Sequence, residues 1–354
     1  MVFLAYRKGF PMQATGPARS DAPRPGLSTV TAAIPETACS GGETVTQQHY
    51  ELYSEADHSA WRYLYSRHRE LWAQHANERF LEGLQGLRLP EERVPRLEDV
   101  TAFLTSHSGF RAEAVSGCVP KFEYFDRLRN RRLPAASAIR SADSPDSGAD
   151  PDIFHDLAGH APMHVDRSFT QALIGLGNCA HTAIELAGGI RDPVQRWQRL
   201  NSQVRGLLRF HFFTVEFGLV RYGNLLKAYG SGLLSSAGDI EGAVVSPRVQ
   251  RSDLHLDWVI HQPYEPGPRQ PLLFIVESFD QFLELTVNLE EWMRAGRLDH
   301  VSGGKPEVSA ADLDSFLSAA GSRPPSYSQP LRHAPLPLSH RRRPARRRKP
   351  ANLP

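Results

Sequence analysis

The sequence predicts a mainly α protein, and three observations point to it. Apolar residues recur at helical spacing through 47–88, 205–222 and 279–293. Strand-like runs are short and few, with Phe274-Ile275-Val276 the clearest. No segment repeats along the chain, which sets aside solenoids and propellers.

The elements follow in order. Residues 1–44 are rich in Pro, Ala, Gly, Ser and Thr with no sustained period, and are expected to be a disordered tail. Residues 47–88 read as two helices, with Trp61, Leu64, Leu71 and Trp72 on one buried stripe and Phe80, Leu81, Leu84 and Leu87 on the next. Pro90 and Pro95 mark the following loop, and Leu97 to Ser106 suggests another short helix. A helix is expected to begin at His155. Arg205 to Tyr222 reads as one long apolar helix, and Phe279 to Met293 as another. Residues 321–354 read as a basic, disordered tail, which leaves 45–320 as the folded domain. A core of that size buries most of the surface its unfolded chain exposes.

Charge and cysteine usage narrow the function classes. The formal net charge is +2, yet residues 321–354 carry nine Lys/Arg and no acid, so the body is net acidic. That argues against a nucleic-acid-binding protein as a whole. The run from Arg341 to Lys349 is suited to weak, salt-dependent contacts with anions, or is simply a solvated extension. Cys39, Cys118 and Cys179 are too widely spaced for a disulfide framework or a cysteine metal site, which suits a reducing cytoplasm. No apolar run approaches the roughly 20 residues that span a bilayer.

The chemistry concentrates in two strings. One is Pro151-Asp152-Ile153-Phe154-His155-Asp156-Leu157-Ala158-Gly159-His160, and the other is Phe212-Phe213-Thr214-Val215-Glu216-Phe217-Gly218-Leu219. Two neutral imidazoles and a carboxylate can take one face of an octahedral ion and leave the opposite positions open, as in non-heme Fe(II) oxygenases. The histidines are five apart. On an ideal helix that separation turns about 140° away, so sharing a metal requires a local distortion. Gly159 and Pro162 are consistent with one. Glu216 among Phe210, Phe212, Phe213 and Phe217 is costly to bury without a partner, which a metal, a buried arginine or a shared proton would supply.

These strings resemble the pterin-dependent aromatic amino acid hydroxylases. That family carries Pro-Asp-x-x-His-Asp/Glu-x-x-Gly-His, then Thr-Val-Glu-Phe-Gly-Leu, then Gly-Leu-Leu-Ser-Ser. The last is present from Gly232 to Ser236. Asp166-Arg167-Ser168-Phe169, Pro95 to Val100 and Val276-Glu277-Ser278-Phe279 match as well, and the likeness covers about 45–320. The resemblance implies a basket of helices around a non-heme iron, with small β ribbons. It implies Fe(II) on His155, His160 and Glu216. It also implies a tetrahydropterin (tetrahydrobiopterin or a related pterin), O2 and a free aromatic amino acid as partners, in a monomer or small homo-oligomer.

The family's substrate and pterin walls carry over residue by residue. Arg140 lies 15 residues before His155, where the family holds the substrate carboxylate. Pro151 lies where a proline packs on the substrate ring. Phe212 lies where phenylalanine and tyrosine hydroxylases carry Trp and tryptophan hydroxylases carry Phe; plain helix packing is its other reading. Ser235 is expected to order the glycine-rich loop or to cap a turn. Val119, Tyr124 and Phe125 fall on the pterin side. Asp156 is expected to reach pterin through water or to steady a ligand, or else to be a solvated carboxylate at a helix start. The walls depart from the family: Ala136 to Ser141 replaces its Thr-Gln-Tyr-Ile-Arg-His string, Gly148 replaces a threonine and Pro134 a histidine. The expected activity is ring hydroxylation, with phenylalanine first and tryptophan second. A Zn(II) metallohydrolase and a non-catalytic ligand-binding homologue are the readings from other classes.

Overall fold

The computed structural model describes residues 45–116, 119–142, 152–264 and 270–321. The two expected tails, apart from Gly321, lie outside these residues, as do Pro151 and Gly148. After a 3-10 turn at Tyr50–Leu52 come α1 (Glu55–His75), α2 (Glu78–Leu87) and α3 (Leu97–His107). Each helix begins where the sequence supplies acceptors or acids. Ser54 and Asp57 form a reciprocal capping box on α1, and Asn77 caps α2. Glu98 and Asp99 lie in the first turn of α3, where carboxylates favour the helix dipole.

Trp61, Trp72 and Phe80 are buried as their spacing requires. Trp61 and Trp72 close on Phe154, with ring centroids 5.2 and 6.2 Å away. Aromatic contacts of this kind add about 0.5–1.5 kcal/mol beyond burial. Phe154 precedes His155, so this cluster anchors the start of the site.

Strand β1 (Arg111–Val115) pairs in parallel with β2 (Arg132–Ala136), and α4 (Lys121–Arg129) makes the crossover. Two turns of unusual pitch then follow. His155–His160 is a π-helix and Ala161–Val165 a 3-10 turn. Next come α5 (Arg167–Gly188) and α6 (Pro193–His211). Asp166 caps α5 by accepting the Phe169 N–H at 2.9 Å, and Asp192 caps α6. At Gly177 an added Cβ would stand 2.5 Å from Phe125 O, so a glycine there lets α5 approach α4.

The expected single helix over Arg205–Tyr222 is corrected. Alpha-helical pitch ends at His211, a second π-turn covers Phe212–Glu216, and β3 starts at Leu219. Gly218 marks the break: a Cβ there would lie 2.3 Å from Thr214 O and 2.2 Å from the Tyr229 ring. Beyond it lie β4 (Leu225–Ala228), α7 (Ser231–Leu234), α8 (Ala237–Val245), β5 (Gln250–Asp253) and α9 (Leu256–Val259). The remainder is β6 (Leu272–Val276), α10 (Phe279–Arg294) and α11 (Ala310–Gly321). The sheet order is β4-β3-β6-β5, with β3 antiparallel to β4 and the other pairs parallel. Helices surround the two π-turns, and the strands form only these small ribbons, as expected. No helix among the described residues is long and apolar enough to cross a membrane.

Candidate metal centre

The first π-turn resolves the spacing problem. A π-helix bonds residue i to i+5, a wider turn than the α-helix, and His155 and His160 are five apart. Their Nε2 atoms stand 3.1 Å apart with ring planes at 83°. Glu216 closes the second π-turn and faces both. Its Oε2 lies 3.5 Å from His155 Nε2 and its Oε1 lies 3.5 Å from His160 Nε2. One ligand atom from each of the three lies within 4.8 Å of the others. Ligands about 2.1 Å from one ion at right angles stand about 3 Å apart, so the donor set fits a transition metal on one octahedral face.

The supports of this set come from other elements. His155 Nδ1 is 2.8 Å from Ser235 Oγ, and Ser231 Oγ donates to Glu216 Oε2 at 2.7 Å. Asp152 Oδ1 accepts the His155 backbone N–H at 2.9 Å and Arg140 Nη2 at 2.7 Å. Asp152 Oδ2 accepts the Arg140 backbone N–H at 2.8 Å and its Nε at 2.9 Å. Arg140 Nη1 reaches the Ser235 carbonyl at 3.2 Å. Asp152 and Ser235 therefore each touch both Arg140 and His155.

Burial and neighbouring charge set the ionisation. Burial pulls the His155 imidazole down to about 4 despite the Glu216 carboxylate, so the ring is neutral and able to ligate. Burial alone would raise Glu216, but the His160, His155 and His211 rings outweigh it and hold the carboxyl at about 2. Burial drives Asp156 well above the ordinary carboxylate range, against the Ala136 N–H that it accepts at 2.7 Å. The solvated reading of Asp156 is thereby corrected, because the side chain faces inward beside β2.

A family model described as biopterin-dependent aromatic amino acid hydroxylase matches residues 41–295. The chain belongs to the biopterin-dependent aromatic amino acid hydroxylases. It is 32% identical over 240 residues to a phenylalanine-4-hydroxylase of Ralstonia nicotianae, covering 68% of this chain and 72% of that protein. It is 31% identical to the Caulobacter vibrioides phenylalanine-4-hydroxylase, covering 68% and 76%. To rat tyrosine 3-monooxygenase it is 33% identical, over 64% of this chain and 43% of that protein. A crystal structure of Chromobacterium violaceum phenylalanine hydroxylase with bound iron(III) and 7,8-dihydrobiopterin superposes with a TM-score of 0.64 at 27% identity. That match covers 75% of this chain and 91% of the other.

Elsewhere in this hydroxylase, the residues expected on the walls are placed as follows. Val119 is half-buried just before α4. Tyr124 turns its hydroxyl inward to His211 Nε2 at 3.0 Å. Burial, with the Glu216 and Asp156 carboxylates adding, pushes that hydroxyl well above its usual value. Phe125 is fully buried and meets Tyr124 and His211 edge-on. Phe212 lies between two rings: Tyr264 stacks on it at 3.6 Å and 1°, and Phe217 at 4.5 Å and 29°.

Four residues of the site are absent from the sequence reading. Asp152 has a local signal, since an acid three residues before His155 is placed to accept its N–H. Ser231 directly precedes the Gly232–Ser236 string. His211 and Tyr264 carry no signal of their own, because their partners come from α4 and from the second π-turn.

Proposed function

We propose that this hydroxylase converts free L-phenylalanine to tyrosine, with Fe(II) held by His155, His160 and Glu216 and a tetrahydropterin as reductant. The observation that carries the reading is the face of three donors 3.1–3.5 Å apart, two of them buried and the third partly so. When bound, iron and pterin supply the electrons that split O2, one oxygen atom entering the ring and the other leaving on the pterin.

The chain's own residues do the rest. His155 donates from Nδ1 to Ser235 Oγ, which keeps its Nε2 lone pair turned toward the metal position. Ser231 fixes one carboxylate oxygen of Glu216. Arg140 receives the substrate carboxylate, and Asp152 sets the plane of its guanidinium beforehand. Burial of His155 and His160, with Glu216 partly buried beside them, limits the access of bulk water to the reacting atoms.

Two findings favour phenylalanine over tryptophan. The Ralstonia and Caulobacter relatives are phenylalanine-4-hydroxylases. Tyr264 stacks flat on Phe212 at 3.6 Å, so that face of the ring at 212 is already covered. The hydrolase reading is disfavoured by the lack of a glutamate next to His155, where Asp156 instead turns inward and accepts the Ala136 N–H at 2.7 Å. Product analysis after incubation with Fe(II), tetrahydrobiopterin and each aromatic amino acid tests the proposal. Tyrosine from phenylalanine, at the highest kcat/KM of the three, is expected. Preferred turnover of tryptophan or tyrosine would overturn the substrate assignment.

A further inference from the structure

A third histidine faces the metal carboxylate. His211 ends α6, one residue before the second π-turn, and its side chain is 12% exposed. Its Nε2 lies 3.8 Å from Glu216 Oε1, close to the 3.5 Å that separates each of the other two histidines from the same carboxylate. The Tyr124 hydroxyl lies 3.0 Å from that same Nε2. Tyr124 and Phe125 on α4 meet the imidazole edge-on at 5.2 and 5.5 Å, which fixes the ring plane.

The two oxygens of Glu216 are thus held differently. Oε2 takes the Ser231 hydroxyl at 2.7 Å. Oε1 faces His160 on one side and His211 on the other. A proton on His211 Nε2 suits both of its neighbours. It donates to the Tyr124 oxygen and turns the positive edge of the ring toward Oε1. The other tautomer would accept from the Tyr124 hydroxyl and leave a nitrogen lone pair, not a positive edge, 3.8 Å from the carboxylate oxygen.

We propose that His211, oriented by Tyr124, is a positioning residue that fixes the carboxylate plane of Glu216 and so tunes metal affinity. Ser231 holds one oxygen, and the Tyr124–His211 pair restrains the other from the opposite side. The pair also runs from α4, which carries the residues expected on the pterin side, to the metal-facing end of the second π-turn. The inference rests on the metal reading above.

The test needs no turnover. Fe(II) affinity of the metal-free chain is measured anaerobically by competition with a chromophoric chelator, and the melting temperature of the metal-free form reports folding. His211→Phe keeps the ring volume and removes Nε2. It is expected to weaken Fe(II) by about tenfold or more while melting near the wild type, since partners of metal ligands are typically worth 10- to 100-fold. Tyr124→Phe is expected to shift affinity the same way by less. His211→Gln, whose amide N–H can face Oε1, is expected to recover part of the loss. The double variant is expected to match His211→Phe alone, because Tyr124 acts through His211.

Unchanged Fe(II) affinity in a folded His211→Phe chain would overturn the proposal, as would effects of the two substitutions that simply add. If His211→Phe does not fold, Tyr124→Phe and His211→Gln carry the same test, and wild-type affinity in both overturns it. Glu216→Ala is the control for the underlying reading. Full Fe(II) binding in that variant would remove the metal site itself, a failure distinct from that of His211.

Discussion

Arg140 meets Asp152 through three of its N–H groups, with distances of 2.7–2.9 Å, and the pair is almost wholly buried. A lysine there keeps the charge but not the planar fork. Arg140→Lys is therefore expected to raise the KM for the amino acid by about tenfold or more, as loss of a charge-assisted pair costs about 1.5–3 kcal/mol, and to leave the pterin KM nearly unchanged. Steady-state kinetics with each substrate varied in turn checks this; wild-type KM and kcat would remove Arg140 from the substrate site. Tyr264 presses flat against Phe212. Tyr264→Ala is expected to lower the kcat/KM ratio of phenylalanine over tryptophan by roughly tenfold, the usual scale of steric discrimination. A flat ratio would mean that other side chains choose the ring. At this scale the sequence was readable where one string holds the residue. His155 and His160 share one string and Glu216 lies in a second, and the structure brings their donor atoms together; Arg140 was placed by its 15-residue offset from His155. His211 and Tyr264 were not readable, since each gains meaning only from a ring delivered by another element.

The two π-turns turn a five-residue spacing into a shared face. The sequence marked the distortion through Gly159 and Pro162 but not its kind, because an ideal helix puts the two histidines about 140° apart. Gly159 also sets a distance. A Cβ there would stand 3.0 Å from Ser231 O and 3.3 Å from Ser231 Cβ, at the residue that holds Glu216 Oε2. Gly159→Ala is expected to push α7 back and weaken Fe(II) by about tenfold, on the scale of other losses around metal ligands. Chelator competition measures it, and wild-type affinity would show that α7 yields without cost to the carboxylate. Other strings that looked like family signature have plain structural work. Asp166 caps α5, and Ser278 caps α10 by accepting the Gln281 N–H at 3.2 Å. The overshoot from Arg205 to Tyr222 arose because its apolar run continues through a π-turn into β3. Periodicity alone does not separate a buried helix from the strand that follows it. The β1–β2 pair was missed for a different reason: Arg111 to Ala114 alternates, but its apolar positions are alanines, which are poor strand formers, and Pro134 stands inside β2.

Across the whole molecule, the mainly α architecture was legible from the buried stripes of α1, α2 and α10, whose Trp61, Trp72, Phe80, Phe279 and Phe282 lie inside. The way β3 and β6 pair was not legible, because residues 219 and 275 pair across a long segment that carries β4, α7, α8, β5 and α9. The basic run from Arg341 to Lys349 is separate from this architecture in charge, as the body is net acidic. A chain lacking residues 341–349 is expected to lose salt-dependent retention on heparin and to keep its kcat/KM. A fall in kcat/KM at unchanged iron content would give that run a part in turnover. The central claim is that two π-turns build one iron centre. The most direct measurement is iron content after anaerobic Fe(II) loading and desalting, compared among the wild type, His160→Ala and Glu216→Ala, with folding of each followed by melting. The account predicts about one iron per wild-type chain, and loss of bound iron and turnover together in both folded variants. Full iron and turnover in both variants would contradict it.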